Sequence, residues 1–185
     1  LPMREKVIYA LGFFDGVHKG HATLLQYLTQ QAKARGLQSV VITFAKHPRE
    51  TLGASYVPKL LTISDERIAL LEKQGIDVCI VVEATKDLFE LSSRYFMQHY
   101  LVEQLQTKYL LVGYDHHFGN DRENGYDYYK QLGEKYGVEV EKASLFQLND
   151  LNVSSSLVRK TLVDGQTKQA INYLGYPYFI NGTVV

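Results

Sequence analysis

The stretch GFFDGVHKGH (residues 12–21) stands between the apolar run KVIYAL (6–11) and a helical pattern. Its glycines let the backbone approach a ligand closely and adopt positive φ where a strand turns into a helix. His18 and His21 fall near the start of that helix, so their side chains project from one face of its first turn. Unpaired N–H groups and the helix dipole favour an anion at this position. The pattern predicts a phosphate-binding turn.

Two other roles for these histidines compete with phosphate binding. They could be buried scaffold, or they could be ligands of a zinc ion. Zinc would need a third ligand, which His47, Asp115 or His116 could supply. The intervening glycine and the position at a helix start suit a phosphate better, so we rank zinc last and expect no metal held by the protein.

Composition limits the classes of protein to be considered. The chain has 185 residues, 45% of them hydrophobic, which is enough for one substantial core. Twenty basic and 20 acidic residues give zero net charge, which argues against a broad nucleic-acid interface. Cys79 is the single cysteine, so we expect a reduced thiol in a cytoplasmic protein. No apolar run approaches the roughly 20 residues that span a bilayer, so no membrane partner is expected.

Strand and helix patterns alternate along the first 150 residues. Strand candidates are KVIYAL (6–11), SVVITF (39–44), DVCIVV (77–82), KYLLVG (108–113) and VEVEKA (138–143). Helical patterns run from His21 to Gly36, from an expected N-cap at Ser64 to Gly75, from near Ser92 through RYFMQHYLVEQL, and over GYDYYKQLGEKYG to Gly137. This alternation predicts an α/β fold, a Rossmann-like, doubly wound parallel sheet of five strands.

The chain divides into three parts on this reading. Residues 1–150 form the predicted α/β domain, and residues 151–177 form a small C-terminal helical segment. The tail, 178–185, has the pattern of a new strand.

Ligands of open α/β sheets bind beyond the carboxyl ends of the strands, where the strand order reverses. This rule selects the loops GFFDGVHKGH (12–21), AKHPRE (45–50), YDHHFGNDR (114–122) and LNVSSS (151–156). Five of the six histidines lie in these loops, and only His99 lies in a helical pattern. Packing alone gives no reason for that concentration, so we expect the site at this edge.

The stretch VSSSLVR (153–159) supplies a second group of candidate phosphate ligands. Serines at a helix start are ordinary N-caps. Arg159 stands one turn further along the same helix, from where it can reach a phosphate oxygen at the N-terminus. Combined with the earlier histidine pair, this stretch predicts a site for a nucleoside triphosphate.

The H-x-G-H motif, followed late in the chain by S-S-S-x-x-R, resembles the nucleotidylyltransferase superfamily. More narrowly, GFFDGVHKGH, ITFAKHPRE (42–50), LLT (60–62), VGYDHHFGNDRENG (112–125) and VSSSLVRKTL (153–162) resemble the FMN adenylyltransferase (FAD synthetase) module of bacterial bifunctional riboflavin kinase/FMN adenylyltransferases. The chain departs from that family's usual residues at four positions: Lys46 for proline, Asp115 for asparagine, His117 for arginine and Ser156 for threonine.

The resemblance implies that ATP, with Mg²⁺, transfers its adenylyl group to FMN and gives FAD and pyrophosphate. It implies catalytic roles for His18, His21, Ser155 and Arg159. It implies an ATP side formed by Gly12, Phe13, Phe14, Asp15, Gly20, Gly113, Asp115, Ser154 and Ser156, and a flavin side formed by His47, Pro48, Phe118 and Arg122. A loop-fixing role is the alternative for Asp15.

In this family the segment YLGYPYFINGTVV (173–185) leads into a riboflavin kinase barrel. The resemblance therefore implies that residues 178–185 begin that domain, that the domain is a partner of this chain, and that kinase activity is absent here. The alternatives are another H-x-G-H adenylyltransferase, acting on pantetheine phosphate or nicotinate mononucleotide, and a non-catalytic module that binds nucleotide or flavin. A fragment of a class I tRNA synthetase is disfavoured by the zero net charge.

Overall fold

A five-stranded parallel sheet forms the centre of the molecule. The structure is a computed structural model that describes residues 7–114, 116–121 and 125–182. The strands are β1 (Val7–Leu11), β2 (Gln38–Phe44), β3 (Val78–Val82), β4 (Tyr109–Val112) and β5 (Glu139–Lys142). Their order is β3-β2-β1-β4-β5, and every neighbouring pair is parallel. The predicted five-stranded, Rossmann-like α/β sheet is confirmed.

Helices connect the five strands of the sheet, and two further helices follow a hairpin. They are α1 (Lys19–Arg35), α2 (Pro48–Thr51), α3 (Ser64–Glu72), α4 (Lys86–Glu90), α5 (Ser93–Tyr95), a π-helical segment (Phe96–Gln104), α6 (Gly125–Tyr136), α7 (Ser155–Val163) and α8 (Thr167–Leu174). A short antiparallel hairpin, β6 (Gln147–Leu148) with β7 (Leu151–Asn152), precedes α7. No helix in the described ranges has the length and apolar character needed to cross a membrane.

Each face of the sheet buries its own hydrophobic cluster, because successive side chains of a strand point to opposite faces. Tyr9 and Leu11 of β1 belong to one cluster, with Met97, Leu101 and Tyr129 from the π-helical segment and α6. Ile8 and Ala10 belong to the other, with Leu25, Leu28, Leu70 and Leu71 from α1 and α3. A third cluster joins α7 and α8 to Leu61 through Val158, Tyr173 and Leu174. The C-terminal helices thus pack beside the loop that precedes α3.

The helix ends show which local signals were correct. Gly36 and Gly137 have φ of 64° and 73°, so both terminate helices in the left-handed conformation, as predicted. The expected N-cap at Ser64 is wrong, because Ile63 is the N-cap residue. The Glu66 carboxylate accepts a hydrogen bond from the Ile63 N–H at 3.0 Å. The Glu66 side chain therefore pairs with a backbone donor that has no partner within the helix.

The helix expected near Ser92 begins as predicted but changes its winding. The Ser92 hydroxyl accepts a hydrogen bond from the Tyr95 N–H at 3.2 Å, which caps α5. From Phe96 the chain continues as a π-helix, in which the Leu105 N–H donates to the Tyr100 carbonyl, five residues back, at 3.0 Å. Apolar periodicity does not separate these two windings over so short a segment.

Residues 178–182, the described part of the tail, contain no strand, and the remaining residues of the predicted strand lie outside the described ranges. The residues that follow α8 are held by side-chain contacts from Tyr176 and Asn181. The Tyr176 hydroxyl donates to the Gly16 carbonyl, and Asn181 Nδ2 donates to Glu66 Oε1 at 2.7 Å. The tail therefore packs against α3 and the turn after β1.

Gly133 of α6 is a position where backbone propensity and packing act in opposite directions. In an open helix, glycine to alanine stabilises by about 1 kcal/mol. Here an added Cβ would overlap the Val138 carbonyl oxygen and lie 2.6 Å from Val140 Cγ2. We expect Gly133→Ala to destabilise the fold by about 1–3 kcal/mol in thermal unfolding. The exposed neighbour Glu134→Ala is the control, and a Gly133→Ala protein as stable as wild type would contradict the prediction.

Candidate active site

A cavity of about 930 Å³ opens at the carboxyl edge of the sheet. Its lining includes the residues directly after β1, β2, β4 and β5 and the start of α7. Along the chain β1 is followed by β2 on one side and later by β4 on the other, so the strand order reverses here. This is the position that the topology rule predicts.

Most predicted site residues line this one cavity. They are Gly12, Phe13, Phe14, Asp15, His18, Gly20, His21, His47, Pro48, Gly113, Phe118, Ser154, Ser155, Ser156 and Arg159. Asp115 and Arg122 were also predicted, and both lie outside the described residues. Four distant segments of the chain therefore meet at one place, although their individual roles stay predictions.

The two histidines of the turn form a stacked pair. His18 is the N-cap residue of α1, and its Nδ1 accepts a hydrogen bond from the His21 N–H at 3.4 Å. The two ring centroids are 3.7 Å apart, with 20° between the ring planes. Because Nδ1 is the acceptor, the neutral tautomer of His18 carries its proton on Nε2.

His21 lies between two aromatic neighbours, with the His18 ring stacked on it and the Phe14 ring meeting it edge-on at 5.2 Å. Its Nδ1 is buried and has no hydrogen-bond partner among the described residues. Burial, together with the adjacent His18, holds the pKa of His21 well below its ordinary value. The imidazole is therefore neutral at pH 7.

The lowered pKa of His21 has a consequence for stability. A base whose pKa is lower in the folded state stabilises the fold above its unfolded pKa, 6.5, and loses this contribution as the pH falls below that value. Each pH unit in that window costs at most about 1.4 kcal/mol. We expect His21→Gln to lose less unfolding free energy than wild type between about pH 7.5 and 5.5 in chemical denaturation. His99→Gln, at a partly exposed histidine paired with Glu103, is the control, and equal slopes for His21→Gln and wild type would contradict the prediction.

Asp15 joins the turn after β1 to two distant segments. Its side chain is buried, and its carboxylate accepts hydrogen bonds from the Leu61 and Thr62 N–H groups at 2.9 and 3.2 Å. The same carboxylate pairs with Arg159, with 2.8 Å between Oδ2 and Nη1. Both oxygens therefore meet protein donors, which favours the loop-fixing role over direct contact with a nucleotide.

The serines at the start of α7 serve this junction as well. Ser154 caps the helix by accepting from the Leu157 N–H at 3.2 Å. The Ser155 hydroxyl donates to the Asp15 carbonyl at 2.9 Å, and Arg159 Nη2 donates to Ser156 Oγ at 3.1 Å. The helix start is thus docked on the turn that carries the histidine pair.

The opposite wall of the cavity is aromatic. The Phe118 ring stacks on Tyr129 with centroids 4.0 Å apart, and Phe13 meets the His47 ring edge-on at 4.8 Å. His47 caps α2 by accepting from the Arg49 N–H at 3.1 Å, and Pro48 occupies the first turn of that helix. Burial, followed by the Arg159 charge, lowers the pKa of His47. This wall offers flat apolar surface beside few polar groups.

Arg67 is a supporting residue that the sequence analysis missed. It is 1% exposed, donates from Nη2 to the Phe44 carbonyl at 2.7 Å, and lies 4.2 Å from the centroid of the Phe13 ring. Burial lowers the pKa of its guanidinium. A signal was present, because Arg67 shares the buried face of α3 with Leu70 and Leu71.

The zinc alternative gains no support from the described part of the chain. No three histidine, cysteine, aspartate or glutamate side chains come together there in a way that could hold a metal ion. His18 and His21 stack face to face, and the His18 Nδ1 that might have bound a metal caps α1 instead.

Comparison with known families agrees with this geometry. A sequence model described as FAD synthetase matches residues 2–157. The chain belongs to the FAD synthetase family. The family predicted from the motifs is confirmed, and the match covers the strands, the histidine pair and the start of α7.

Two curated relatives of this FAD synthetase family member carry the name bifunctional riboflavin kinase/FMN adenylyltransferase. The Escherichia coli K12 protein is 32% identical over 182 residues, covering 98% of this chain and 58% of the relative. The Pseudomonas fluorescens protein is 33% identical over 184 residues, covering 100% of this chain and 59% of the relative. The chain therefore spans less than two thirds of the length of these relatives.

A solved structure supports the fold of this FAD synthetase family member. A crystal structure described as a macrolide-efflux protein from Streptococcus pneumoniae superposes with a TM-score of 0.80 at 26% sequence identity. The similarity covers 96% of this chain and 66% of the other.

Proposed function

We propose that this chain is an FMN adenylyltransferase, a nucleotidyltransferase that converts ATP and FMN into FAD and pyrophosphate. The observation that carries the proposal is the junction at Asp15. There the start of α7, with Ser155 and Arg159, is bonded to the turn that presents His18 and His21. Membership of the FAD synthetase family supports the choice of reaction.

The phosphate side of the proposed reaction uses groups that are already in place. An FMN phosphate oxygen attacks the α-phosphorus of ATP in line, a new P–O bond forms, and the bond to the β-phosphate bridging oxygen breaks as pyrophosphate leaves. This chemistry depends on positioning and charge stabilisation rather than on a protein nucleophile. The N–H groups at the start of α1, the two histidines of the turn and Arg159 would stabilise the developing negative charge.

The acceptor side suits a flat ring system. Phe13 and His47 are partly exposed on this side, beside the largely buried Phe118, and such apolar and polar groups together orient a ligand in a largely apolar pocket. The cavity volume, about 930 Å³, is near the upper end of common ligand pockets, which suits two substrates bound side by side. These features support a flavin as the acceptor.

Magnesium enters the proposal with its substrate. The described residues include no cluster of three metal-ligating side chains, and the Asp15 carboxylate is engaged by Arg159. We therefore write the substrate as MgATP and derive no step through a metal ion held by the protein. We place the reaction in the cytoplasm, where the lone Cys79 would stay reduced.

The test is a reaction of the purified chain with ATP, Mg²⁺ and FMN, with FAD and pyrophosphate measured by chromatography and a coupled assay. Parallel reactions replace FMN by pantetheine phosphate or nicotinate mononucleotide. We expect FAD and pyrophosphate in equal amounts and no product from the other acceptors. Product from another acceptor but not from FMN would overturn the flavin assignment, and binding without turnover would favour the non-catalytic module.

A further inference from the structure

We propose that Asp15 is a positioning residue for nucleotide binding: it fixes the Arg159 guanidinium toward the phosphates of ATP and does not contact the nucleotide itself. This inference rests on the proposed function and assigns a device within the same site. It replaces the direct ATP contact that the family resemblance implied for Asp15.

Geometry is the first argument. Arg159 reaches the cavity from α7, and its Nη1 lies 2.8 Å from Asp15 Oδ2 while its Nη2 lies 3.1 Å from Ser156 Oγ. A guanidinium has five N–H donors in a fixed plane, so two anchoring contacts leave donors for an incoming phosphate. Both ends of the pair are anchored, because Asp15 is held by Leu61 and Thr62.

Charge supports the same assignment. A buried carboxylate beside a triphosphate repels it, so Asp15 would weaken nucleotide binding if it acted directly. As the partner of Arg159, Asp15 instead fixes the orientation of the arginine side chain before the nucleotide binds. An ordered donor saves the entropy that a free arginine would lose on binding.

Stability gives an independent argument. Burial raises the pKa of Asp15 despite its hydrogen bonds and Arg159, so ionising this carboxyl costs folding free energy. The other titratable or charged groups that act electrostatically on it are Arg67 of α3 and Tyr176 and Tyr178 of the tail. The ionised Asp15 carboxylate lowers the stability of the fold, and its position beside the cavity is explained by a role in ligand binding.

Asp15→Asn is the decisive variant, because it separates the two roles of the side chain. The asparagine oxygen can still accept from the Leu61 and Thr62 N–H groups, whereas its NH₂ group cannot accept from Arg159. We expect the dissociation constant for MgATP, measured by calorimetry without FMN, to rise about 10- to 100-fold. The midpoint of thermal unfolding should equal or exceed that of wild type, since a buried charge is removed.

Two further proteins complete the test. In an Arg159→Met background, adding Asp15→Asn should cost no further MgATP affinity, because the residue through which Asp15 acts is absent. Asp77→Asn is the matched control, since Asp77 Oδ2 also accepts from a backbone N–H and a hydroxyl, both of Ser39, but lies outside the cavity lining. Its MgATP affinity should equal that of wild type.

Several results would overturn the inference. One is an unchanged MgATP affinity in Asp15→Asn. Another is a loss of MgATP affinity on adding Asp15→Asn to Arg159→Met that equals the loss in the wild-type background. The third is a fall of more than about 5 °C in the unfolding midpoint of Asp15→Asn, which would mean that the carboxylate stabilises the fold. Failure of the proposed function is a separate result, since a wild-type chain that binds MgATP but forms no FAD would leave the Asp15 measurements interpretable. A wild-type chain that binds no MgATP would overturn both.

Discussion

Replacing His21 with alanine is expected to lower kcat/KM for FAD formation by about 10²- to 10³-fold, the usual cost of losing one preorganised donor to a transition-state anion. His21 is held by the stacked His18 ring and by the edge of Phe14, so its orientation is fixed before a ligand binds. Its pKa is low, so the loss is that of a neutral donor rather than of a positive charge. Steady-state kinetics with saturating FMN and varied MgATP would measure the effect.

The control for this variant is His99→Ala. His99 lies in the π-helical segment and pairs with Glu103 at 2.7 Å, outside the cavity lining. It should retain wild-type kinetics, while His21→Ala should keep the wild-type circular dichroism spectrum. A His21→Ala enzyme within threefold of wild type would remove this imidazole from the mechanism.

The second large effect is expected for Arg159→Met, which should lower kcat/KM by about 10²- to 10³-fold and also destabilise the fold. The two losses have different causes. The activity falls because the guanidinium no longer meets the phosphates. The stability falls because the Asp15 carboxylate, which is 4% exposed, stays buried without its cationic partner. Kinetics and thermal unfolding of the same preparation would measure both.

The stability loss of Arg159→Met should be reversed by a second substitution. Asp15→Asn in that background removes the stranded charge, so the double variant should unfold at a higher temperature than Arg159→Met alone while remaining equally inactive. Lys160→Met is the control, because Lys160 is exposed and pairs with Asp164 on the helix surface. A double variant no more stable than Arg159→Met would contradict this account of the ion pair.

Local sequence patterns predicted the sheet well because buried parallel strands are continuous apolar runs. DVCIVV and KYLLVG each lie within two residues of the observed β3 and β4. The topology rule predicted the site at the carboxyl ends of the strands, and five of the six histidines lie in the loops that the rule selected. The contacts that those side chains make with substrates are still predictions.

The supporting residues were not predictable in the same way, because their partners are distant in sequence. Asp15 meets Leu61 and Thr62 in a loop whose sequence has no distinctive periodicity. Arg67 lies on the buried face of α3, but its partner, the Phe44 carbonyl, is 23 residues away in sequence. The strand pattern in the tail stays a prediction, since residues 183–185 lie outside the described residues.

The bonds between the turn after β1 and the C-terminal helices have a consequence for biosynthesis. Ser155 and Asp15 are 140 residues apart in sequence, and Tyr176 and Gly16 are 160 apart. Contacts of such high sequence separation form late, after the local α/β units. On a translating ribosome the N-terminal half can begin to fold while these partners are still unmade. A nascent chain that has not yet reached α7 therefore lacks Ser155 and Arg159, two of the proposed phosphate ligands.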